Sequence, residues 1–339
     1  MAQSARQSLA DEQVEAALKA VESDPATPAE KAEMLMEIAM GLQSRPKSPD
    51  EIDRAVELYR RALEICPADS PLLRARVTTR LGTALQARPA GGNEELREAR
   101  DCYEQSLAAL RNGGKAEEIA EVEMNLGLVE QSLAGSGMGR LNDAIQCYHR
   151  ALRVFTREDF PQEFSILHNN LAIAYLSIPL SDERARMREA LAVQSFEEVL
   201  KVITLVDHPT EYAMIQNNLG NALQYATSGH ALENNLRALD AYDEALKVRS
   251  ARDTPFEYAN TISNKANVLR NLPDDPDRPG LGREAALNRA RELYREAGAI
   301  YAQFGHGNGE VIAEALADIE QELASRVHSH HNGDARANA

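Results

Sequence analysis

Asparagine side chains recur along the chain at a nearly constant interval. One series, with members 45 to 48 residues apart, comprises Asn125, Asn170, Asn218 and Asn264. Further amides and one cation lie close to these positions: Asn169, Asn217, Asn221, Gln224, Asn260, Asn267 and Arg270. An asparagine can donate a hydrogen bond to a peptide carbonyl and accept one from a peptide N–H at the same time. Because asparagine is a mediocre helix former, the series predicts either recognition of an extended peptide backbone or polar bridges between neighbouring helices.

A basic pair precedes this series. Arg76 and Arg80 share one helical face with Thr79, Thr83 and Gln86. Guanidinium groups bind carboxylates through parallel N–H donors, so the pair predicts a pocket for an acidic group. The alternative is that both arginines form ion pairs with glutamates of the next helix.

The other reactive residue types give no catalytic or metal-binding pattern. Cys66, Cys102 and Cys147 have no CxxC spacing, which disfavours a zinc site or a disulfide framework. The sequence contains no P-loop, nucleophile-elbow or HExxH motif. We therefore expect a non-enzymatic protein that needs no metal and no other cofactor.

The net charge limits the class of partner. With 37 Lys plus Arg against 53 Asp plus Glu in 339 residues, the formal charge is −16. This charge repels phosphates, so we expect neither a nucleic acid nor a membrane as partner, whereas a basic segment is compatible. The sequence has no apolar run near the roughly 20 residues of a spanning helix and no leader-like segment. These features predict a cytoplasmic protein.

Two short phrases repeat along the chain in constant phase. The first places an alanine four residues before an aromatic residue, as in AVELYRRAL, AIQCYHRAL and ALDAYDEAL. Six aromatic residues mark its copies: Tyr59, Tyr103, Tyr148, Phe196, Tyr242 and Tyr294. The second phrase precedes the first and carries a small residue in each copy: Ala39, Gly82, Gly127, Ala172, Gly220 and Ala266. The chain therefore consists largely of six units of about 45 residues, a repeat architecture.

Both phrases have the periodicity of an α-helix. In the fifth unit Ile215, Leu219, Ala222 and Ala226 fall at i, i+4, i+7 and i+11, which is one apolar helical face. Glycine- and proline-rich segments separate the two helices of several units. A small residue opposite an aromatic ring lets two antiparallel helices approach to about 8–10 Å. The sequence predicts an all-α chain of helical hairpins.

The pairing of LGxA with AxxxYxxAL resembles the tetratricopeptide repeat (TPR). It resembles the long-period variant found in CHAT-domain proteins and kinesin light chains, with about 45 residues per repeat. The resemblance implies a right-handed α-α superhelical solenoid of about six hairpins with terminal capping helices. It also implies a concave groove that is lined by the asparagine series and binds a peptide. We expect an N-terminal cap at 1–29, six repeats at 30–305, a C-terminal cap at 306–327 and a disordered tail at 328–339.

The leading hypothesis is a protein-binding scaffold, such as an adaptor, an assembly factor or a sensor. The amides named above, with Arg270, Arg76 and Arg80, would contact an extended partner segment that is basic or presents a free carboxylate. Two alternatives stay open at this point. The groove could associate with a second copy of the chain in a homo-oligomer, or the repeats could form an enzyme with an unrecognised site.

Overall fold

A computed structural model of the chain describes residues 15–16, 18–44, 46, 48–88, 92–179, 184–226, 230–273, 282–303 and 309–337. Within these ranges the regular structure is helical and contains no strand, so the predicted all-α fold is confirmed. No helix in the same ranges has both the length and the apolar character that crossing a membrane requires. The chain divides into two compact units, Met1–Ala174 and Tyr175–Ala339.

The helices follow the order of the predicted repeat. Those of the first unit are α1 (Pro28–Ser44), α2 (Pro49–Ile65), α3 (Pro71–Gln86), α4 (Asn93–Leu110), α5 (Ala116–Gly135) and α6 (Leu141–Ala151). Helix α7 (Pro161–Ser177) continues past the boundary between the units. Those of the second unit are α8 (Ala185–Val199), α9 (Pro209–Tyr225), α10 (Ala231–Leu246), α11 (Pro255–Asn271), α12 (Arg283–Gln303) and α13 (Gly309–Ala337).

Short polar turns lead into three of the helices that begin with proline. Ahead of α9, the Thr204 hydroxyl donates to Asp207 Oδ2 over 2.7 Å and accepts a hydrogen bond from the Asp207 backbone N–H. The same two bonds recur ahead of α7 and α11: Thr156 with Asp159, and Ser250 with Asp253. Hydroxyl and carboxylate groups satisfy the backbone of such turns, and proline suits the first helical turn, where no N–H is needed. Each turn therefore starts the next hairpin at a defined residue.

In three hairpins, a glycine of the first helix packs against the tyrosine ring of the second. Tyr148 and Tyr242 are fully buried. A Cβ atom added to Gly127 would lie only 2.4 Å from Tyr148 Cε1, and one added to Gly220 would lie 2.6 Å from Tyr242 Cε1. Glycine is therefore required for this close approach at both positions.

Four buried tyrosine hydroxyls are satisfied inside their own hairpins. Tyr148 Oη donates to Gln131 Oε1 over 2.9 Å. The corresponding bonds elsewhere are Tyr59 to Gln43 at 2.9 Å, Tyr103 to Gln86 at 3.1 Å and Tyr242 to Asn221 at 2.8 Å. Three of these acceptors are glutamines located four residues after the small residue of their helix. In the fourth repeat the aromatic residue is Phe196, which has no hydroxyl, and Leu176 replaces the glutamine.

Successive hairpins of a unit pack through their neighbouring helices. In the first unit α2 packs against α3 and α4 against α5, and in the second α10 packs against α11. The Glu123 carboxylate of α5 lies between these elements with only 3 % of its side chain exposed. Arg111 Nη2 contacts it at 2.9 Å and Arg150 Nη2 of α6 at 2.7 Å. This buried carboxylate thus ties α5 to the end of α4 and to α6.

The two chain ends carry further helical residues. Residues 18–23 are helical, and Val21 is buried. At the other end α13 packs against α12, with Ile312, Ala315 and Ile319 buried. Helix α13 is described through Ala337, whereas the sequence predicts a cap ending at 327 and a disordered tail at 328–339. Residues 1–14 of the predicted N-terminal cap lie outside the described residues.

Glu130 lies at a core position of the repeat. The corresponding residues of other first helices, three positions after the small residue, include Leu85, Leu223 and Leu269, which are buried. Burial raises the pKa of Glu130, a shift that the positive charge of Arg100 opposes. We expect Glu130→Leu to raise the free energy of unfolding by about 1–2 kcal/mol, because it replaces a desolvated carboxylate with the residue that packs elsewhere. Urea unfolding at pH 7 measures this gain.

The same residue predicts a dependence on pH. Since the pKa of Glu130 is higher in the folded state, its favourable contribution is complete below the unfolded pKa and is lost as the pH rises through the folded pKa. The stability gain of Glu130→Gln over the wild type should therefore be larger at pH 7 than at pH 4.5. An equal gain at both values would show that the carboxylate of Glu130 is adequately solvated.

Candidate functional site

The second unit brings several residues of the predicted amide series into one pocket. This pocket has a volume of about 380 Å³. Its lining residues come from α9, from α11, from α12 and from the segment after α10: Asn217, Asn218, Arg249, Phe256, Glu257, Asn260 and Tyr301. Asn218 is half-buried, and no hydrogen bond to its amide is found among the described residues. An amide in this state can bind an incoming peptide group.

Other members of the series bridge neighbouring helices. Asn264 Nδ2 lies 3.4 Å from Asn217 Oδ1 on α9 and 3.3 Å from Asn260 Oδ1 on its own helix. Asn267 Nδ2 lies 3.4 Å from Gln224 Oε1. These distances are long for N–H···O hydrogen bonds, so the bridges are weak and leave hydrogen-bonding capacity unused. The bridging explanation thus has members in the second unit, while binding by Asn218 stays a prediction.

Two predicted residues have structural partners of their own. Asn221 Oδ1 accepts the hydroxyl hydrogen bond of Tyr242 at 2.8 Å, so this amide supports the core aromatic residue of its hairpin. Arg270 Nη2 lies 3.5 Å from Asp318 Oδ2 on α13. A role of either residue in binding a partner stays a prediction.

The amides of the first unit, Asn125 on α5 with Asn169 and Asn170 on α7, are half-buried. On α7, Asn169 Oδ1 and Asn170 Nδ2 are both shielded from solvent and have no hydrogen-bond partner among the described residues. These two atoms are an acceptor and a donor, the pair that a peptide group would satisfy.

The predicted basic pair is neutralised by the following repeat. Arg76 Nε lies 2.6 Å from Glu118 Oε1, and Arg80 Nη1 lies 2.8 Å from Glu121 Oε1. The hydrogen bond raises the pKa of Arg76 and lowers that of Glu118. Both arginines line a pocket of about 180 Å³ together with Met36, Met40 and other residues. The geometry is that of the ion-pair alternative, and an acidic ligand here would have to displace a glutamate.

Arg249 lines the pocket of the second unit and is not one of the residues that the repeat pattern predicts for the site. Its Nη1 donates to Thr261 Oγ1 over 2.7 Å. Burial lowers the pKa of Arg249, a shift that the nearby Glu257 carboxylate opposes. A signal for this residue exists in the sequence, but it becomes visible only when all six repeats are aligned on their aromatic residues.

Two cysteine thiols in the core are poor candidates for chemistry. Cys102 and Cys147 lie in the core, and burial raises the pKa of each thiol to about 12. Both thiols therefore stay protonated near neutral pH and are poor nucleophiles. Within the described part of the chain, no three His, Cys, Asp or Glu side chains converge in a way that could hold a metal ion.

Comparisons with known proteins concern the fold. No protein-family model and no curated protein sequence matches the chain. Among solved structures, the assembly chaperone Acl4 of RpL4 is 15 % identical over 88 % of this chain and 99 % of its own, with a TM-score of 0.51. YrrB, described as a TPR protein with an unusual peptide-binding site, is 22 % identical over 70 % of this chain and 93 % of its own, with a TM-score of 0.43. A kinesin light chain with TPR-like repeats from Podosopora anserina is 19 % identical over 65 % and 95 %, with a TM-score of 0.46.

The chain is accordingly an all-α helical-repeat protein of the solenoid class. Its hairpins resemble the tetratricopeptide hairpin that the sequence predicts, and in three of them a glycine packs against the repeat tyrosine.

Proposed function

We propose that the chain is a non-enzymatic scaffold that holds an extended segment of a protein partner against α9 and α11. The observation that carries this proposal is the pocket in which Asn217, Asn218 and Asn260 meet. These amides come from two helices that are successive first helices of the repeat, and the pocket is open to solvent. A partner backbone crossing them would receive both donors and acceptors.

Apolar side chains beside the amides support the same proposal. Met214 lies one helical turn before Asn218 on α9 and is 42 % exposed. Phe256 lies one turn before Asn260 on α11 and is 40 % exposed. On each helix an amide thus lies next to an exposed apolar side chain. This arrangement suits a partner segment whose backbone binds the amides and whose apolar side chains pack against Met214 and Phe256. Recognition would then depend mainly on an extended conformation.

The test is the double variant Asn218→Ala/Asn260→Ala. An array of random decapeptides identifies a peptide that binds the wild type, and fluorescence anisotropy then measures its affinity. We expect the affinity to fall roughly thirtyfold, since two hydrogen bonds of about 1 kcal/mol each are lost. Stability should be unchanged or slightly higher, because alanine is the better helix former.

Gln131→Ala is the matched control from the first unit, at a residue outside the predicted site. It removes the acceptor of the Tyr148 hydroxyl, so it should lower stability by about 1 kcal/mol and leave the affinity unchanged. Normal peptide binding by the double variant, together with a lower unfolding midpoint, would show that the amides are structural bridges. A wild type that binds no peptide but forms dimers in light scattering would favour self-association instead.

A further inference from the structure

One repeat position changes its chemical character in the fifth repeat only. The residue seven positions after the repeat aromatic ends the second helix or follows it. In the other five repeats this residue is buried and is aromatic, aliphatic or a cysteine: Cys66, Leu110, Phe155, Ile203 and Tyr301. In the fifth repeat it is Arg249. A guanidinium therefore occupies a position that the fold elsewhere uses for its core.

The residue that contacts Arg249, Thr261, also differs in chemical character from its equivalents in other repeats. Thr261 lies five residues before the small residue of the sixth repeat and is fully buried. The equivalent buried residues of four other repeats are aliphatic: Val77, Val122, Leu167 and Ile215. Arg249 Nη1 donates to Thr261 Oγ1, which in turn donates to the Glu257 carbonyl over 2.8 Å. Two neighbouring positions that are apolar in most other repeats are thus both polar here. The Thr261 hydroxyl orients the Arg249 guanidinium.

Arg249 has no carboxylate partner at ion-pair distance. Within the described residues, no Asp or Glu oxygen lies within 4.0 Å of its guanidinium, and the hydrogen bonds found there use only Nη1. Arg249 is half-buried, and partial burial of a guanidinium without an ion-pair partner is unfavourable, whereas a leucine fills the same position in the second repeat. The arginine therefore has no evident benefit for the stability of the hairpin.

We propose that Arg249 binds a carboxylate of the partner segment, with Asn218 and Asn260 donating hydrogen bonds beside it. This inference rests on the proposed function and adds the chemical class of the group that the pocket selects. The planar guanidinium matches a carboxylate through two parallel N–H donors. A doubly charged phosphate fits less well, because Glu257 lines the same pocket and the chain carries a net charge of −16.

The experiment uses the array of random decapeptides with each peptide printed in three forms. One form has a free C-terminal carboxylate, the second has a C-terminal amide, and the third has Asn and Gln in place of every Asp and Glu. We expect the wild-type signal to fall at least tenfold on amidation if the group is the chain end, or in the third form if it is a side chain. This preference should disappear in Arg249→Leu.

Two further variants make the result specific. Arg252→Leu is the matched control, because Arg252 is an exposed arginine in the turn that follows Arg249, and it should keep the wild-type preference. Glu257→Gln should tighten binding of carboxylate peptides roughly threefold, since it removes a like charge from the pocket. It should leave amidated, acid-free peptides unaffected.

The outcomes separate the two proposals. Peptide binding by the wild type without any preference for a carboxylate would overturn the role of Arg249 and leave the scaffold function standing. Retention of the preference in Arg249→Leu would also overturn it. Absence of peptide binding in all three forms would contradict the scaffold function itself and the inference with it. Urea unfolding checks the folding of Arg249→Leu, for which we expect a midpoint at or above that of the wild type.

Discussion

Replacing Arg111 and Arg150 together with methionine will lower the free energy of unfolding by roughly 3 kcal/mol. Both guanidinium groups contact the Glu123 carboxylate, whose side chain is only 3 % exposed. Removing the partners of a buried charge leaves its desolvation uncompensated. Each single substitution should cost much less than half of this amount, because the remaining arginine still neutralises Glu123. Urea unfolding followed by circular dichroism measures the effect.

A triple variant tests the cause of this loss. Adding Glu123→Leu to the double variant removes the buried charge, and corresponding residues of other repeats, Leu35 and Ile262, show that an aliphatic side chain packs at this position. We expect the triple variant to regain most of the lost stability. If it unfolds as readily as the double variant, the arginines stabilise the unit through their aliphatic stems and not through the charge of Glu123.

Gly127→Ala is expected to destabilise the first unit by about 2–3 kcal/mol, although alanine is the better helix former. The added Cβ would lie 2.4 Å from Tyr148 Cε1 and 2.7 Å from Cδ1. Tyr148 is fully buried and its hydroxyl is bound to Gln131, so the ring cannot move away without breaking other contacts. Overpacking of this kind costs about 1–3 kcal/mol.

Gly41→Ala is the matched control on α1. No heavy atom lies within 4 Å of the Cβ that this change would add, so we expect the free energy of unfolding to rise by about 0.5 kcal/mol. A rise of similar size for Gly127→Ala would contradict the close approach between α5 and α6. A double variant with Tyr148→Phe separates the ring contact from the hydroxyl bond, because phenylalanine keeps the ring and removes only the donor.

The helices were predictable from the two repeated phrases. Each phrase shows the periodicity of an apolar helical face, and each contains one of the two residues that meet in the hairpin, the small residue or the aromatic residue. Gly127 and Tyr148 are separated by an irregular segment in sequence, yet the recurrence of the same pair in other units predicts that they meet. The turns before α7, α9 and α11 are less visible. Their Ser or Thr and Asp residues look like ordinary loop composition until the hydrogen bonds of Thr204 and Asp207 are known.

The candidate site was predictable only in part. The spacing of Asn218 and Asn264 predicts that both lie on the same side of successive first helices, but not that Asn264 bridges to Asn217 while Asn218 stays available. That difference depends on the distances between individual side chains of α9 and α11, which the spacing of the repeat does not specify. Arg249, by contrast, can be recognised from the sequence alone. It is the one residue at its position of the repeat that is charged, where the other five repeats have an apolar residue or a cysteine.

The hydrogen bond that four repeat tyrosines form inside their own hairpins has a consequence for how such a chain can grow or shrink by gene duplication. Since donor and acceptor, as in Tyr148 and Gln131, belong to the same hairpin, a duplicated segment of about 45 residues arrives with its own core polar group already satisfied. Duplication or deletion of a whole hairpin then changes only the surfaces between hairpins. Those surfaces hold Glu123, Arg249 and the Asn217–Asn264 contact, so new copies can diverge in what they bind while keeping the interior with which they fold.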